Sequence, residues 1–211
     1  MDTKQLDIGK CFNDAIAVYK VNFLMLVVSA LLFQVISLVT LLILAGPIYG
    51  GYCVMLLKAM RKEDKKIELN DMFSMLKRFW PLVGLFFLQG LAIFAGFMLL
   101  IIPGIILTTM WLYSYLVMVD KNKNIMESLK DSWVIVKTKG FWMNLVLCII
   151  YLTISGVTAQ IPLVGWLINL LAIPFAILLI VSAYTQQFTV EPIVSTESKP
   201  FADVVEEEPQ A

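Results

Sequence analysis

The sequence predicts an all-α polytopic membrane fold: six transmembrane helices arranged as three helical hairpins, each preceded by an amphipathic interface helix. Three observations carry this. The 211 residues are 60% hydrophobic and 15% charged, with a mean hydropathy of +0.85, where a water-soluble domain has about 45–50% apolar and about 25% charged residues. All charges fall into four windows, 1–20, 58–78, 120–139 and 191–211, which leave the stretches 21–57, 79–119 and 140–190 uncharged. The first three windows each carry apolar residues at helical spacing just before an uncharged stretch.

Each uncharged stretch, of 37, 41 and 51 residues, is too long for one crossing and suits two, since a spanning helix needs about 20 apolar residues. A Gly/Pro break lies near the middle of each: Gly46-Pro47, Pro103-Gly104, and Pro162 with Gly165. Proline removes a backbone donor and glycine loosens a helix, so these are expected turns. The expected spans are 23–45, 47–60, 80–102, 104–119, 141–161 and 165–187. The second and fourth are short for a hydrocarbon core of about 30 Å, so a re-entrant course fits them as well as a full crossing.

The windows hold amphipathic segments. Ile8, Phe12, Ala15, Ile16 and Tyr19 follow 3–4 spacing, as do Leu69, Met72, Phe73, Leu76 and Trp80, and again Ile125, Leu129, Ser132, Trp133 and Val136. That period marks one apolar face of a helix. Asn124 and Glu127 have the spacing of a capping box opening the third segment. An Asp, a Lys six residues on and a following aromatic recur as Asp14…Lys20…Phe23, Asp71…Lys77…Phe79 and Asp131…Lys137…Phe141, which reads as a threefold repeat.

Lys and Arg number 3, 7, 5 and 1 in the four windows, and the hairpin tips carry none. The positive-inside rule then puts all four windows, and both termini, in the cytoplasm. A multi-pass protein of the cell (cytoplasmic or inner) membrane is expected, with a six-helix domain over 1–190 and an acidic cytoplasmic tail over 191–211. No early apolar segment suggests a cleaved signal peptide.

Composition narrows the chemistry. Histidine is absent, Cys11, Cys53 and Cys148 lie far apart without CxxC spacing, and no nucleotide-binding or hydrolase motif occurs. Neither catalysis, cofactor nor metal is expected, and zero formal net charge gives nucleic acid no purchase. Apart from Lys58 near the end of the second, no Asp, Glu, Lys, Arg or His lies within the expected spans, which argues against ion-coupled transport. Two candidate sets remain. Lys20, Lys77, Arg78, Lys137 and Lys139 are placed to meet lipid headgroups, with anchoring alone as the plainer reading. Gln34 and Gln89 fall at similar depth in equivalent spans. They either face a cavity or headgroup or, more plainly, make an interhelical hydrogen bond worth about 0.6 kcal/mol. Gly84, Gly90, Ala92, Gly96, Ser155 and Gly156 are expected to permit close helix packing.

Residues 103–142 add a resemblance. They run Pro103-Gly104-Ile105, Trp111, Val119-Asp120-Lys121, Ile125 through Trp133, Lys137 and Phe141-Trp142. Together with Asp14…Tyr19-Lys20…Phe23 and Gly46-Pro47, this resembles a bacterial family of six-helix integral membrane proteins, related to the membrane domain of some glycerophosphodiester phosphodiesterases. The likeness covers about residues 5–187. Met110 stands where relatives often carry Arg, and the residues of a phosphodiesterase domain are missing, so the resemblance implies the membrane module without the enzyme. The expected role is a membrane scaffold or accessory protein, linked by that resemblance to lipid or envelope processes. Membrane lipids, and another membrane or cytoplasmic protein, are its expected partners. The alternative is a small channel or facilitator for a neutral or amphipathic solute.

Overall fold

A computed structural model describes residues 6–39, 44–61, 67–159 and 164–187 of the protein, and every regular element among them is helical. In chain order these are α1 (Ile8–Val21), α2 (Phe23–Val39), α3 (Ala45–Arg61), the 3₁₀ helix η1 (Leu69–Arg78), α4 (Phe79–Leu99), α5 (Ile101–Met110), α6 (Ser114–Asp120), α7 (Ile125–Lys139), α8 (Phe141–Ala159) and α9 (Val164–Gln187). Three of the helical runs, Leu69–Leu99, Ile101–Asp120 and Leu170–Gln187, are long and apolar enough to cross a membrane. The number rises to five if the bent pairs α1–α2 and α7–α8 each count as one span.

The expected turns are displaced in a regular way. Gly46 and Pro47 lie in the first turn of α3, and Pro103 and Gly104 in the first turn of α5. The chain breaks earlier, at Leu100, whose backbone is extended (φ −164°, ψ 151°). Gly165 likewise lies in the first turn of α9, whereas Pro162 falls outside the described residues. The reason is physical: amides in a first turn have no intrahelical acceptor, so proline there forfeits nothing. The Gly/Pro pairs therefore mark where second helices begin rather than where first ones end.

The corners between the amphipathic segments and the helices that follow differ. α1 meets α2 at 91° and α7 meets α8 at 115°. The second corner is made by Gly140, whose φ of 113° suits a residue without Cβ. The first is made by Asn22, whose Nδ2 donates to the Val18 carbonyl at 3.1 Å and whose Oδ1 accepts from the Ile67 N–H at 3.0 Å. Between η1 and α4 there is no corner, and Arg78 runs straight into Phe79.

The expected apolar stripes are real, and protein covers only part of each: Ala15, Met72, Leu129, Ser132 and Val136 are buried, whereas Ile16, Phe73, Leu76, Trp80 and Trp133 are exposed. In α1, Cys11, Ala15 and Val18 are wholly buried. α1 lies antiparallel along α9 from Gln186 back to Leu171: the Asp7 N–H donates to Gln186 Oε1 (3.2 Å), Ser182 Oγ to Asp14 Oδ2 (3.2 Å), and the Tyr19 hydroxyl to the Leu171 carbonyl (3.1 Å). Phe12 and Tyr19 flank Phe175 with ring centroids 5.9 and 5.8 Å apart. η1 presses on α3 so closely that a Cβ on Gly51 would overlap the Met72 carbonyl. Leu129, Ser132 and Val136 of α7 are buried too, while Met126, Trp133 and Val134 stay exposed.

Of the expected small-residue contacts, Gly96 does bring helices together. A Cβ there would stand 3.1 Å from the Gly104 backbone, which locks α4 against α5. Gly84 faces Ile125, while Gly90 and Gly156 face open space.

α9 lies at the centre and α4 at the edge. Leu178, Leu179, Val181, Ala183 and Tyr184 of α9 are buried, whereas Trp80, Phe87, Leu91, Phe94, Met98 and Leu99 of α4 are exposed. With Phe23 and Leu24 of α2 and Trp142, Val146 and Ile149 of α8, they make an apolar surface far larger than a water-soluble monomer tolerates.

Candidate functional site

The expected fourth span, 104–119, is interrupted. α5 stops at Met110 and α6 starts at Ser114, with Trp111–Tyr113 as a turn. Breaking a helix frees backbone groups that must find partners wherever water is excluded. Here side chains from other helices supply them. Gln89 of α4 donates from Nε2 to the Trp111 carbonyl (3.2 Å), and its Oε1 accepts from Ser114 Oγ (2.8 Å). Ser132 of α7 donates to the Met110 carbonyl (2.8 Å) and accepts from the Tyr113 N–H (3.2 Å). Gln89 thus makes the interhelical hydrogen bonds that the plainer expectation named, and its partner is the broken backbone.

Tyr113, swung inward by the break, is fully buried. Its hydroxyl donates to Asn144 Oδ1 (2.5 Å), and Gln187 Nε2 donates both to that hydroxyl (3.1 Å) and to Asn144 Oδ1 (3.0 Å). Asn144 Nδ2 in turn reaches the Gly140 carbonyl at the α7–α8 corner (2.9 Å). The α5–α6 turn, α8 and α9 are tied by this one cluster.

Beyond it lies a second cluster. Arg61 pairs with Asp120 through two hydrogen bonds, Nη1 to Oδ1 at 2.6 Å and Nη2 to Oδ2 at 2.8 Å. The side chains are only 13% and 7% exposed, so water screens the pair little. The Tyr184 hydroxyl donates to Asp120 Oδ2 at 2.8 Å, whereas Arg61 Nε has no acceptor. Around this pair stand Lys58 with Asp71 (2.6 Å) and Lys123 with Asp131 (2.6 Å). The Asp131 hydrogen bond pushes the Lys123 ammonium upward from its ordinary range.

Together these bonds join the charged windows. Window 58–78 meets window 120–139 through Arg61 and Asp120, and window 1–20 meets α9 through Asp14 and Ser182. Window 191–211 lies outside the described residues. Sequence reasoning had no signal for the Arg61–Asp120–Tyr184 or Tyr113–Asn144–Gln187 clusters, because their members come from distant helices and share no spacing.

The expected headgroup contacts separate. Lys20, Lys77 and Lys137 are exposed and Lys139 is half-buried. Arg78 turns inward instead: Nη1 donates to the Met118 carbonyl and Nη2 to the Lys123 carbonyl, each at 3.1 Å. The Met118 carbonyl lies in the last turn of α6, where a cation is favoured, and the Lys123 carbonyl in the loop that follows; burial lowers the pKa of the guanidinium. Arg78 is fastened to this chain. Gln34 differs again: its Oε1 is buried with no partner, and it lines a cavity of about 50 Å³ with Ala30, Phe33, Tyr49, Tyr52, Ile173 and Ile177.

Among the described residues no three His, Cys, Asp or Glu side chains converge as a metal site, and all three cysteines are free and buried. Cys11 packs among α1 and α9 side chains, and burial, aided by the charge of Asp14, pushes its thiol up to about 11. Set against known proteins, the chain matches no family model, no curated protein and no solved structure.

Proposed function

We propose that the chain is an integral protein of the bacterial cytoplasmic membrane that works as a scaffold or accessory through its charged end, without catalysis of its own. Six spans are counted in this reading: α2, α3, α4, α5 with α6 as one broken span, α8 and α9. α3 and the α5–α6 pair are the spans whose full crossing needs testing. The observation that carries the reading is the separation of surfaces. Large apolar side chains of α2, α4 and α8 face outward, while the described ion pairs all lie within and between windows 58–78 and 120–139. Lipid is the solvent that suits the first surface, and water or headgroups suit the second. Exposed Met126, Trp133 and Val134 beside Lys130 and Lys137 on α7 fit an anionic lipid surface. The connection to lipid or envelope processes rests on the family resemblance, which is an associational ground.

The topology is tested by thiol labelling. Because Cys11, Cys53 and Cys148 are buried, single cysteines can be added to the natural background. Lys10→Cys, Lys77→Cys and Lys130→Cys should react only after cells are permeabilised, and Leu100→Cys, 67% exposed between α4 and α5, from outside. Reaction of Lys77→Cys and Lys130→Cys from opposite sides overturns the reading. Function is tested by cross-linking in native membranes, where partner capture at Lys77 or Lys130 is expected. No capture above background, together with solute flux into liposomes carrying the pure protein, replaces the scaffold with the facilitator.

A further inference from the structure

We infer that the cavity between α2, α3 and α9 is a binding site for the hydroxyl end of an uncharged amphiphile. The inference stands apart from the scaffold reading, since neither its residues nor its test involve the charged end. Two of the residues lining the cavity carry a buried polar atom without a partner of hydrogen-bond geometry, Gln34 Oε1 and the Tyr52 hydroxyl, the latter beside Ser29. Tyr52 is 3% exposed. Native proteins rarely leave such groups unmet, since each costs about 1–3 kcal/mol when buried without a partner.

Gln89, at matching depth in its own span, uses both ends of its amide. Gln34 lines the cavity, and its Oε1 meets no donor. An amide oxygen can only accept, whereas a phenol can donate and accept. A ligand hydroxyl has the chemistry both call for, since it can donate to Gln34 Oε1 and accept from Tyr52.

The remaining walls fix the ligand class. Ala30, Phe33, Tyr49, Ile173 and Ile177 offer methyls and ring faces, and Tyr115 backs Tyr49 edge-on at 4.8 Å. Among the described residues no Asp, Glu, Lys or Arg lines the cavity, so an ionic head would lose its hydration unpaired. A volume of about 50 Å³ takes a hydroxyl and its first carbons. The rest of the chain leaves past Phe33, Gln34, Tyr49 and Ile173, each of which is only part-buried. Water offers the same hydroxyl chemistry without the apolar body, so the experiment must separate an alcohol from water.

The probe is a diazirine-bearing octanol, photolysed with the full chain in phosphatidylcholine nanodiscs and mapped by mass spectrometry. Labelling is expected within 30–34, 49–52 or 173–177, suppressed by excess 1-octanol and unaffected by octane. Tyr52→Phe removes one oxygen and leaves the ring, and should cut labelling about fivefold, the size of one ordinary hydrogen bond. Gln34→Leu should cut it at least as far, and Leu91→Ala, on the outer face of α4, should leave it unchanged. Thermal melting of each variant separates lost binding from lost fold. Absence of labelling at these residues, which leaves water as the occupant, overturns the inference. So does competition by octane equal to that by octanol, or full labelling of a Tyr52→Phe protein that melts like the natural one.

Discussion

α4 and α9 are both greasy helices, yet one is a rim and the other a hub. The most apolar stretch of α4 has a mean hydropathy of 2.2 and is 17% buried, whereas that of α9 has 1.6 and is 67% buried. Hydropathy places neither in water, but it ranks them in the wrong order for burial within the protein. In a lipid environment apolar side chains gain little by leaving lipid for protein, so packing and hydrogen bonds decide which helix is central. α9 carries Ser182, Tyr184, Gln186 and Gln187, and each meets another helix: Asp14, Asp120, Cys11, and the Tyr113–Asn144 pair. α4 contributes Gln89 alone to such bonds among those described, and otherwise presents Phe87, Leu91, Phe94 and Met98 outward.

The hardest blow to this contrast comes at the charged anchor of α9. Removing one member of a buried ion pair leaves the other desolvated, so Arg61→Gln should lower stability by about 3–5 kcal/mol. Denaturation in mixed micelles measures it. A loss under about 1 kcal/mol, the ordinary worth of an exposed pair, would show that water reaches Asp120 and that the hub is wet.

Next in size is a paired truncation. Leu179→Ala in α9, where the side chain is 1% exposed, should cost about 2–5 kcal/mol through the cavity it opens. Leu91→Ala in α4, 70% exposed, removes no protein contact of note and should change stability by less than about 0.5 kcal/mol. Equal losses at the two sites would mean that a partner covers the outer face of α4.

Glycines give a finer reading of the same contrast. A methyl at Gly51 would drive into the Met72 carbonyl, so Gly51→Ala must push η1 off α3 and should cost about 1–3 kcal/mol. Gly90 on α4 has nothing within 4 Å, and Gly90→Ala should be neutral or up to about 1 kcal/mol stabilising from helix propensity. Melting temperatures of the two variants on either side of the natural protein would confirm the order, and matching shifts would contradict it.

Much of this contrast was hidden in the sequence for reasons that residues make plain. The uncharged stretches foretold helices, and 3–4 spacing foretold the stripes of α1 and α7, because both are local. What covers a stripe is not local. Ala15 satisfies the expected pattern whether lipid or α9 lies against it, and an interface helix puts lipid there, while Cys11 and Val18, buried with it, lie outside the expected stripe. The break at Trp111–Tyr113 has no Gly or Pro to announce it. It is held by Gln89 and Ser132, one before it by 22 residues and one after it by 19. Gln34 and Gln89 read alike because depth is local and partners are not. Arg61 and Asp120 were visible only as members of charged windows, since nothing in one window names its mate in another.

The smallest effect tests whether α1 seals its side of α9 at ordinary pH. Burial raises the Cys11 thiol from its ordinary 9.0 to about 11, so the folded chain holds it neutral where an unfolded chain would ionise it. The associated stability is therefore complete below pH 9 and declines as pH climbs from 9 towards 11. At pH 7.5 no effect on stability is expected, and maleimide should modify Cys11 far more slowly than an exposed cysteine, because the thiolate is the nucleophile. Between pH 9 and 11 the natural protein should lose stability relative to Cys11→Ser. That difference should shrink in Asp14→Asn, which removes the charge that adds to the shift. Fast modification at pH 7.5 would mean that α1 lifts from α9, and the helix hub would then be α9 without its first partner.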